Sequence, residues 1–291
     1  MTTRRNFLKN TTMLAAGLGV SPLLSSSPLR SYQKEEVING KVRIAVIGVG
    51  MGCRDLQGAL TDNPWVHCVG MCDVNKVRLE EQLARFKKDF PEQTVSIKAY
   101  TDFREVLANK EIDGVIIATP DHWHPYIFAE ALKAGKAIYV EKPVGNSISE
   151  CNAMMDFQKK YKGVVTTGLW QTSQRYFRAA NEILKSGVLG DVYKVQLWLC
   201  QSTNPRPSVE DSEAPSTLDY DMWLGPAPER PFNNSRFRGW RGFWDYGGGQ
   251  QTDWGVHWID SAFDGLKALG LCDREYPDAV FSTAYKDPAS F

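Results

Sequence analysis

The stretch from residue 41 to residue 52 limits the folds open to this chain more than any other part of the sequence. Apolar residues fill the length of one β-strand and end at Gly48, after which Gly50, Met51 and Gly52 follow. Closely spaced glycines between a strand and a helix let backbone amides approach a pyrophosphate. The pattern therefore predicts the first strand and the phosphate-binding turn of a parallel, dinucleotide-binding sheet.

A second apolar run, over residues 65–72, supports this interpretation. It ends at Asp73, which lies 25 positions after Gly48, close to where a Rossmann acidic residue receives ribose hydroxyls. The turn departs from G-x-G-x-x-G at Cys53, a residue small enough to keep the helix close to the strand. Asp73 repels a 2′-phosphate, and the two residues after it include no arginine, so NAD is favoured over NADP.

Strand and helix patterns alternate as far as residue 168, as a parallel sheet requires. We predict a doubly wound sheet whose six strands cover residues 42–47, 65–72, 96–100, 114–118, 137–140 and 164–168. Helices are predicted between them at residues 76–89, 125–134 and 149–161, and Gly135 and Gly163 are the expected C-caps of the last two. Residues 41–168 should therefore form a Rossmann domain of the α/β class.

The sequence changes in character from residue 169 onward. Predicted here are helices over 176–185 and 252–269, strands over 192–200 and 279–284, and a long loop rich in proline and tryptophan over 205–244. Two strands cannot close a sheet of their own. We therefore expect residues 169–291 to form an incomplete α+β domain and the sequence to be a fragment.

Length and composition narrow the class of protein. A chain of 291 residues with 43% apolar content can bury a sizeable core. Lys plus Arg and Asp plus Glu both total 34, so no overall positive field recruits nucleic acid. The six cysteines form no C-x-x-C pair and no histidine is grouped with two of them, so no metal site is expected.

The first 30 residues differ from the rest and are interpreted as an export signal, with residues 31–40 as a polar linker. Arg4 and Arg5, followed by Phe7, Leu8 and Lys9, resemble the twin-arginine consensus, and a short apolar stretch follows. The alternative is a basic amphipathic helix at the start of a cytoplasmic protein. The export interpretation predicts a bacterial periplasmic protein with the twin-arginine machinery as a partner.

Three further motifs follow in a fixed order. Residues 118–124 read ATPDHWH after the fourth predicted strand, residues 141–143 read EKP after the fifth, and three glycines at 247–249 lead to Asp253 and His257. From residue 41 to its end the chain closely resembles the family of glucose-fructose oxidoreductase, myo-inositol dehydrogenase and MocA. The resemblance implies an NAD-binding Rossmann domain followed by a substrate-binding α+β domain with an open mixed sheet. Members are usually longer than this chain and pair through that sheet, so a homo-oligomer is expected.

The same resemblance implies roles for individual residues. The EKP lysine and the D-x-x-x-H pair line the family's catalytic pocket, which makes Lys142, Asp253 and His257 the catalytic candidates. The loops after the fourth and fifth strands lie against the cofactor in the family. Together with the glycine turn and Asp73, they complete the expected cofactor-binding set: Gly48, Gly50, Met51, Gly52, Asp73, Thr119, Pro120, His124, Glu141 and Lys142.

The residue types suit the oxidation of a secondary alcohol. Removing the hydroxyl proton near neutral pH suits the intrinsic pKa of a histidine, so His257 is the preferred base. Lys142 would stabilise a developing alkoxide or act as the base itself. Asp253 would orient the imidazole or hold a substrate hydroxyl. Metal binding by His122 and His124 is disfavoured because no third ligand lies nearby in the sequence.

Four residues are candidates for holding a carbohydrate. Trp240 and Arg241 combine a flat apolar face with a bidentate donor, which suits a sugar ring and its hydroxyls. Ordinary loop packing is the alternative for both. Arg175 and Tyr176, just beyond the sixth strand, are further polar candidates.

These features favour an exported oxidoreductase that transfers a hydride from a ring hydroxyl of a sugar, glycoside or cyclitol to tightly bound NAD. No pool of free NAD exists outside the cytoplasm, so the bound cofactor should be reset by a second substrate or within one catalytic cycle. One alternative is an NAD-dependent glycosidase like those of family 109, which oxidises, eliminates, hydrates and reduces again. Another is a sugar-binding relative without activity.

Replacing Arg4 and Arg5 together by lysine tests the export signal. The double variant should stay in the cytoplasm and keep its fold, because the two arginines belong to an export signal that lies outside the packed domain. Cell fractionation with circular dichroism of the purified variant measures both properties. Periplasmic recovery equal to that of the unmodified protein would contradict the prediction.

Overall fold

The computed structural model describes residues 41–50, 63, 65–91, 97–198 and 209–272. Its centre is one parallel sheet of six strands in the order β3-β2-β1-β4-β5-β6, the order of a Rossmann fold. The strands are β1 (Val42–Ile47), β2 (Val66–Cys72), β3 (Lys98–Tyr100), β4 (Gly114–Ile117), β5 (Ala137–Val140) and β6 (Val165–Thr167). The predicted fold class is confirmed.

Helices follow most of the strands and then continue into the second half of the chain. They are α1 (Lys76–Asp89), α2 (Phe103–Ala108), α3 (His124–Lys133), α4 (Ile148–Tyr161), α5 (Arg175–Lys185), α6 (Tyr220–Leu224), α7 (Asn234–Arg238) and α8 (Val256–Ala268). A π-helical turn, Gln251–Gly255, leads directly into α8. Within the described ranges, no helix is long and apolar enough to cross a membrane.

Alternate residues of the central strands bury apolar side chains on opposite faces of the sheet. Ala45 and Ile47 of β1 belong to a cluster with α2, α3 and α4, whereas Val46 belongs to a second cluster with Leu79 and Phe86 of α1. Burial on both faces explains why these strands are continuously apolar in sequence. The two clusters fix the sheet between its helices and leave its carboxyl edge for other contacts.

Several predicted elements are confirmed to the residue, and others shift by one or two positions. The bounds of β1, β5 and α1 coincide with the predicted ones. The C-cap expected at Gly163 is wrong, because Lys162 takes the left-handed conformation with φ 50°. Gly163 is needed for packing instead, since a Cβ there would lie 2.3 Å from Cδ2 of Leu132.

The predicted long loop over 205–244 is folded in its described part, residues 209–244. It forms α6, α7 and a third apolar cluster at the carboxyl edge of the sheet. The indole of Trp123, which follows β4, donates hydrogen bonds to the carbonyls of Met222 and Trp223, both at 3.0 Å. The second half of the chain is thus attached to the loop after β4.

The strand predicted over residues 192–200 is wrong for residues 192–198, which have no regular structure. The side chain of Tyr193 is 95% exposed, and no strand among the described residues pairs with this segment. An unpaired strand leaves its backbone groups without partners, so the apolar pattern alone does not produce one. The strand predicted at 279–284 lies outside the described residues.

Substituting Gly225 tests the attachment of the second half. Gly225 has φ +47°, and an added Cβ would lie 2.0 Å from Cζ2 of the buried Trp123. Gly225→Ala should lower the free energy of unfolding by about 3 kcal/mol, the sum of backbone strain and overpacking. Gly135→Ala is the matched control, because φ there is +70° but nothing lies within 4 Å. Urea denaturation measures both; equal losses in the two variants would contradict the prediction.

Candidate active site at the carboxyl edge of the sheet

The glycine turn after β1 meets the end of β4 at the carboxyl edge of the sheet. Gly48 has φ +88°, and a Cβ there would lie 2.6 Å from the carbonyl carbon and oxygen of Ala118. Only glycine fits this close approach. The crevice between β1 and β4 is the point where the strand order reverses, and ligands of open α/β sheets bind at such points.

Asp73, directly after β2, is turned toward this glycine turn. Its carboxylate is nearly buried and accepts hydrogen bonds from the backbone N–H of Val49 at 3.0 Å and of Asn75 at 2.9 Å. Burial raises the pKa of Asp73, while these bonds and the charge of Arg78 oppose the rise. Gly48, Gly50 and Asp73 therefore lie together as predicted. The predicted Met51 and Gly52 lie outside the described residues.

Thr119 and Pro120 follow β4 at the same edge. The hydroxyl oxygen of Thr119 is buried and has no hydrogen-bond partner in the described structure. A buried hydroxyl without a partner is unfavourable in the ligand-free protein. Together with the room that Gly48 leaves, this orphaned group fits a polar ligand in the crevice, as a dinucleotide would be.

The two histidines of the ATPDHWH motif support the surrounding turns. The ring of His124 is fully buried, with Nδ1 2.6 Å from the carbonyl oxygen of Pro143 and Nε2 2.9 Å from that of Thr119. Nε2 of His122 lies 3.0 Å from the carbonyl oxygen of Trp223. Burial lowers the pKa of each to about 4, so both rings are neutral at neutral pH.

Each ring nitrogen of His124 lies against a backbone carbonyl oxygen, and the neutral ring donates its one N–H to one of these two oxygens. His124 thus ties the turn after β4 to the turn after β5. Among the described residues no group of three histidine, cysteine or acidic side chains could hold a metal ion.

Glu141 and Lys142 follow β5 and point in different directions. The carboxylate of Glu141 accepts hydrogen bonds from the Tyr139 hydroxyl and from the Lys142 backbone N–H, both at 3.2 Å. It also approaches Gly168, where a Cβ would lie 2.8 Å from the carboxyl carbon. Glu141 thus packs against Gly168 at the end of β6, whereas the Lys142 side chain points toward the second half.

Lys142 forms an ion pair with Asp253 of the π-helical turn. Its Nζ also donates to the Asp253 carbonyl oxygen at 2.8 Å, and both side chains are 15% exposed. Arg241 approaches the same carboxylate, with its Nε 3.3 Å from Oδ1, while its guanidinium lies 4.2 Å above the Trp240 ring. Two cations therefore converge on one carboxylate.

His257 is the second residue of α8, which follows the π-helical turn directly. Such π-helical turns are rare and are often found at functional sites. Its ring is 2% exposed and lies between Trp170 and Trp254, at centroid distances of 5.6 and 6.0 Å. Nδ1 has no hydrogen-bond partner in the described structure. Burial lowers the pKa of His257, and the nearby Lys142 charge lowers it further. The Asp253 charge opposes this shift, and on balance the neutral imidazole is favoured over the imidazolium.

Asp253 does not orient this imidazole. Its carboxylate binds Lys142 and Arg241, whereas no hydrogen bond joins it to His257. The structure shows Asp253 in a further role that its spacing did not predict, because its one carboxylate holds the cationic side chains of Lys142 and Arg241 close together.

Two residues of this region were not identified from the sequence. Asp121 is 3% exposed, and burial and the Asp253 charge raise its pKa to about 8 against the opposing charges of Arg241 and Lys142. The sequence feature that could have identified Asp121 is its position within the ATPDHWH motif. Trp170 is 44% exposed and edge-on to His257; an isolated tryptophan in sequence carries no comparable signal.

Gly247 lets the second half approach this cluster. A Cβ at Gly247 would lie 3.2 Å from Oδ2 of Asp121 and 3.3 Å from Cα of Arg241. Arg175 and Tyr176, in contrast, are exposed at the start of α5. Among the described residues no hydrogen bond or ion pair joins either of them to Lys142, Asp253 or His257, so the structure does not bring these two predicted substrate residues into the cluster.

Known proteins with similar sequences and folds relate this site to a family. Residues 42–169 match the model of an oxidoreductase family described as an NAD-binding Rossmann fold, and residues 178–268 match the C-terminal alpha/beta domain of the same family. A solved NAD-binding protein from Listeria innocua has the same fold, with a TM-score of 0.54 at 21% identity. That match covers 77% of this chain and 54% of the other.

Curated relatives include two kinds of enzyme. An alpha-N-acetylgalactosaminidase from Tannerella forsythia is 33% identical over 51% of this chain and 34% of its own length. A glycosyl hydrolase family 109 protein from Parabacteroides distasonis is 27% identical over 65% and 43%. Inositol 2-dehydrogenase from Salmonella typhimurium is 24% identical over 51% and 43%.

The matches thus span less than half the length of each of these relatives. The two family models nevertheless match the two halves of the structure in chain order. Ligands of this fold bind at the carboxyl edge of the sheet, where the glycine turn and the Lys142–Asp253–His257 cluster lie. The chain belongs to the Gfo/Idh/MocA family of oxidoreductases, with an NAD-binding Rossmann fold in its first half.

Proposed function

We propose that this chain is an NAD-dependent oxidoreductase that removes a hydride from a ring carbon bearing a hydroxyl, in a sugar, glycoside or cyclitol. The observation that carries the proposal is the meeting of Lys142, Asp253 and His257. These residues come from opposite halves of the chain and meet at the carboxyl edge of the sheet. That edge also holds the glycine turn and Asp73.

The crevice residues support binding of NAD. Gly48 and Gly50 would admit the pyrophosphate, the Asp73 carboxylate would receive ribose hydroxyls, and the Thr119 hydroxyl would gain a partner. When bound, NAD accepts the hydride that leaves the substrate carbon. The preference for NAD over NADP is part of the proposal and depends on the negative charge of Asp73.

The environment of His257 supports its role as general base. A ring kept neutral by burial and by the Lys142 charge has a lone pair to accept the substrate hydroxyl proton. Lys142, paired with a carboxylate, would stabilise the oxygen as negative charge develops on it. Lys142 as the base that accepts the hydroxyl proton is the alternative assignment.

Asp253 and Arg241 complete the proposed mechanism. Asp253 holds the Lys142 ammonium in place, and a substrate hydroxyl could displace Arg241 from the same carboxylate because that contact is the longer one at 3.3 Å. Arg241 remains stacked on Trp240 in either arrangement. The exposed face of Trp170, beside His257, would receive the apolar face of the ring.

A redox-neutral glycosidase is the second candidate. The relatives from Tannerella forsythia and Parabacteroides distasonis carry glycosidase names, whereas the Salmonella relative is named as a dehydrogenase. Both reactions begin with the same hydride and proton transfer. Aryl glycosides distinguish them: a glycosidase releases the phenol without accumulating NADH, and a dehydrogenase accumulates NADH without releasing the phenol. A sugar-binding relative without activity would do neither.

We also propose periplasmic export and assembly into a homo-oligomer. The twin arginines at positions 4 and 5 support the first, and family resemblance supports the second. The proposed division places the NAD-binding domain at residues 41–168 and the substrate-binding domain from residue 169 onward. Tight retention of NAD would follow from export, because the periplasm offers no free cofactor.

Asp73→Ala tests the proposed cofactor preference. The variant should bind NAD about tenfold more weakly and should no longer distinguish NAD from NADP, because the carboxylate both accepts ribose hydroxyls and repels the 2′-phosphate. Asp89→Ala, at the exposed end of α1, is the control. Calorimetric titration with both cofactors measures this, and equal affinity of the unmodified protein for the two would contradict it.

Substitutions in the cluster test the proposed chemistry. His257→Ala and Lys142→Ala should each slow turnover by about a hundredfold or more with NAD affinity nearly unchanged. The double variant should lose less than the product of the two effects, because both groups act on one proton. Asp253→Asn should be milder if the carboxylate only holds Lys142, and comparably severe if it binds a substrate hydroxyl.

Steady-state kinetics with glucosides and inositols, alongside NAD titration, measures these effects. Lys159→Ala is the matched lysine control, since its side chain is 67% exposed on α4. Full activity of Lys142→Ala would refute the assignment of Lys142.

A further inference from the structure

The second half of the chain contacts the first half at the Asp73 side of the crevice as well as at Lys142. The backbone N–H of Lys76 donates to the Thr217 carbonyl at 2.9 Å, and the N–H of Asp219 donates to the Val74 carbonyl at 3.0 Å. Asn75 and Leu218 are antiparallel bridge partners between these two bonds. We call this pairing of residues 74–76 with 217–219 the seam. It begins one residue after the proposed ribose acceptor.

Arg78 lies between the seam and the glycine turn. Its Nη1 is 3.7 Å from the position that a Cβ of Gly50 would occupy, and its charge lowers the pKa of Asp73. Its guanidinium carbon lies 5.8 Å above the ring of Phe237 in α7. One side chain of the Rossmann half thus lies close to both the glycine turn and α7 of the second half.

Phe237 is also packed against other aromatic rings of the second half. Its ring packs against Trp223 and Phe232 of the third apolar cluster, at centroid distances of 5.2 and 5.6 Å. The helix that carries it begins with Asn233, whose side chain accepts hydrogen bonds from the backbone N–H of Ser235 and Arg236. The ring therefore cannot move away from Arg78 without disturbing this cluster.

We propose that Arg78 and Phe237 form a latch over the adenosine end of the bound dinucleotide and slow its release. One face of the planar guanidinium can stack on the base, or its N–H groups can donate hydrogen bonds to ribose oxygens. Phe237 covers the opposite face of the guanidinium. The seam keeps α7 in place over the crevice. The latch rests on NAD binding by the first half but not on the proposed reaction.

The latch has a functional consequence. The latch would hold the adenosine end of the dinucleotide, while Lys142 and His257 act at the nicotinamide end. The dinucleotide would then leave only when the two halves separate. Release then becomes slow relative to turnover, as a cofactor that is reset within each cycle requires. The Arg78 charge also favours the ionised form of Asp73, against the effect of burial.

Release of NADH from the binary complex tests the latch without any substrate. Energy transfer from tryptophan to bound NADH is followed by stopped flow after mixing with excess NAD. Arg78→Ala and Phe237→Leu should each release NADH about tenfold faster, in line with the loss of one cation–π contact and its stacking partner. The double variant should release it no faster than the quicker single variant, because the two residues act as one pair.

Two matched controls separate the latch from general damage. Arg85→Ala lies on α1 and Arg238→Ala on α7, both exposed and away from the crevice; neither should change the release rate. Arg78→Lys keeps the charge near Asp73 and should still release NADH faster, because an ammonium cannot stack as a guanidinium does. Melting temperatures of all variants verify folding.

Three results would overturn the latch: unchanged release in Arg78→Ala, additive effects in the double variant, or no NADH binding by the unmodified protein. A fourth is tight NADP binding that Arg78→Ala selectively removes, which would make Arg78 a receptor for a 2′-phosphate. Because no turnover is measured, failure of the proposed oxidoreductase reaction leaves this test intact. Unchanged release or additive effects would overturn the latch alone, whereas absence of NADH binding would overturn the proposed cofactor as well.

Discussion

The ion pair between Lys142 and Asp253 is the interaction on which the site depends. It joins the end of β5 to the π-helical turn before α8, two points 111 residues apart in the chain. The same carboxylate attracts Arg241, and the turn that carries it leads into His257. The pair is largely shielded from water, where charge interactions are screened less than on the surface. Other contacts, such as the hydrogen bonds of Trp123 to Met222 and Trp223, hold the two halves together, and this ion pair sets the position of Lys142 relative to Asp253.

Burial then sets the protonation states around this pair. Asp121 lies nearly buried behind it and has a raised pKa, and the rings of His122, His124 and His257 are kept neutral. The local charge is therefore concentrated on Lys142, Arg241 and Asp253, close to a neutral imidazole. Such a separation of charged and neutral titratable groups is the arrangement that acid–base chemistry at neutral pH requires. Among the described residues, this cluster and the Asp73 crevice occupy one continuous edge of the sheet.

Sequence patterns predicted the Rossmann half well because its information is local. Strand β1 is an apolar run ending in glycine, and α1 has an apolar period with Asn75 as its N-cap. The cluster at Lys142, Asp253 and His257 was predicted only through motif resemblance, since periodicity says nothing of groups 111 residues apart. The failures share one cause. The strand at 192–198 lacked a described partner, and the position of Gly163 is set by Leu132. In the same way, no local pattern could show that Arg78 lies over Phe237 of a distant helix. Long-range contacts decide each of these.

The central claim is that the dinucleotide lies along the carboxyl edge of the sheet, from the Asp73 side to the Lys142–Asp253–His257 side. A crystal structure of the protein with NAD bound tests this most directly. The account predicts adenosine ribose hydroxyls on the Asp73 carboxylate, the pyrophosphate at the glycine turn, and the nicotinamide ring beside Lys142 and His257. A nicotinamide placed away from both residues, or a dinucleotide bound in the reverse direction, would contradict the account.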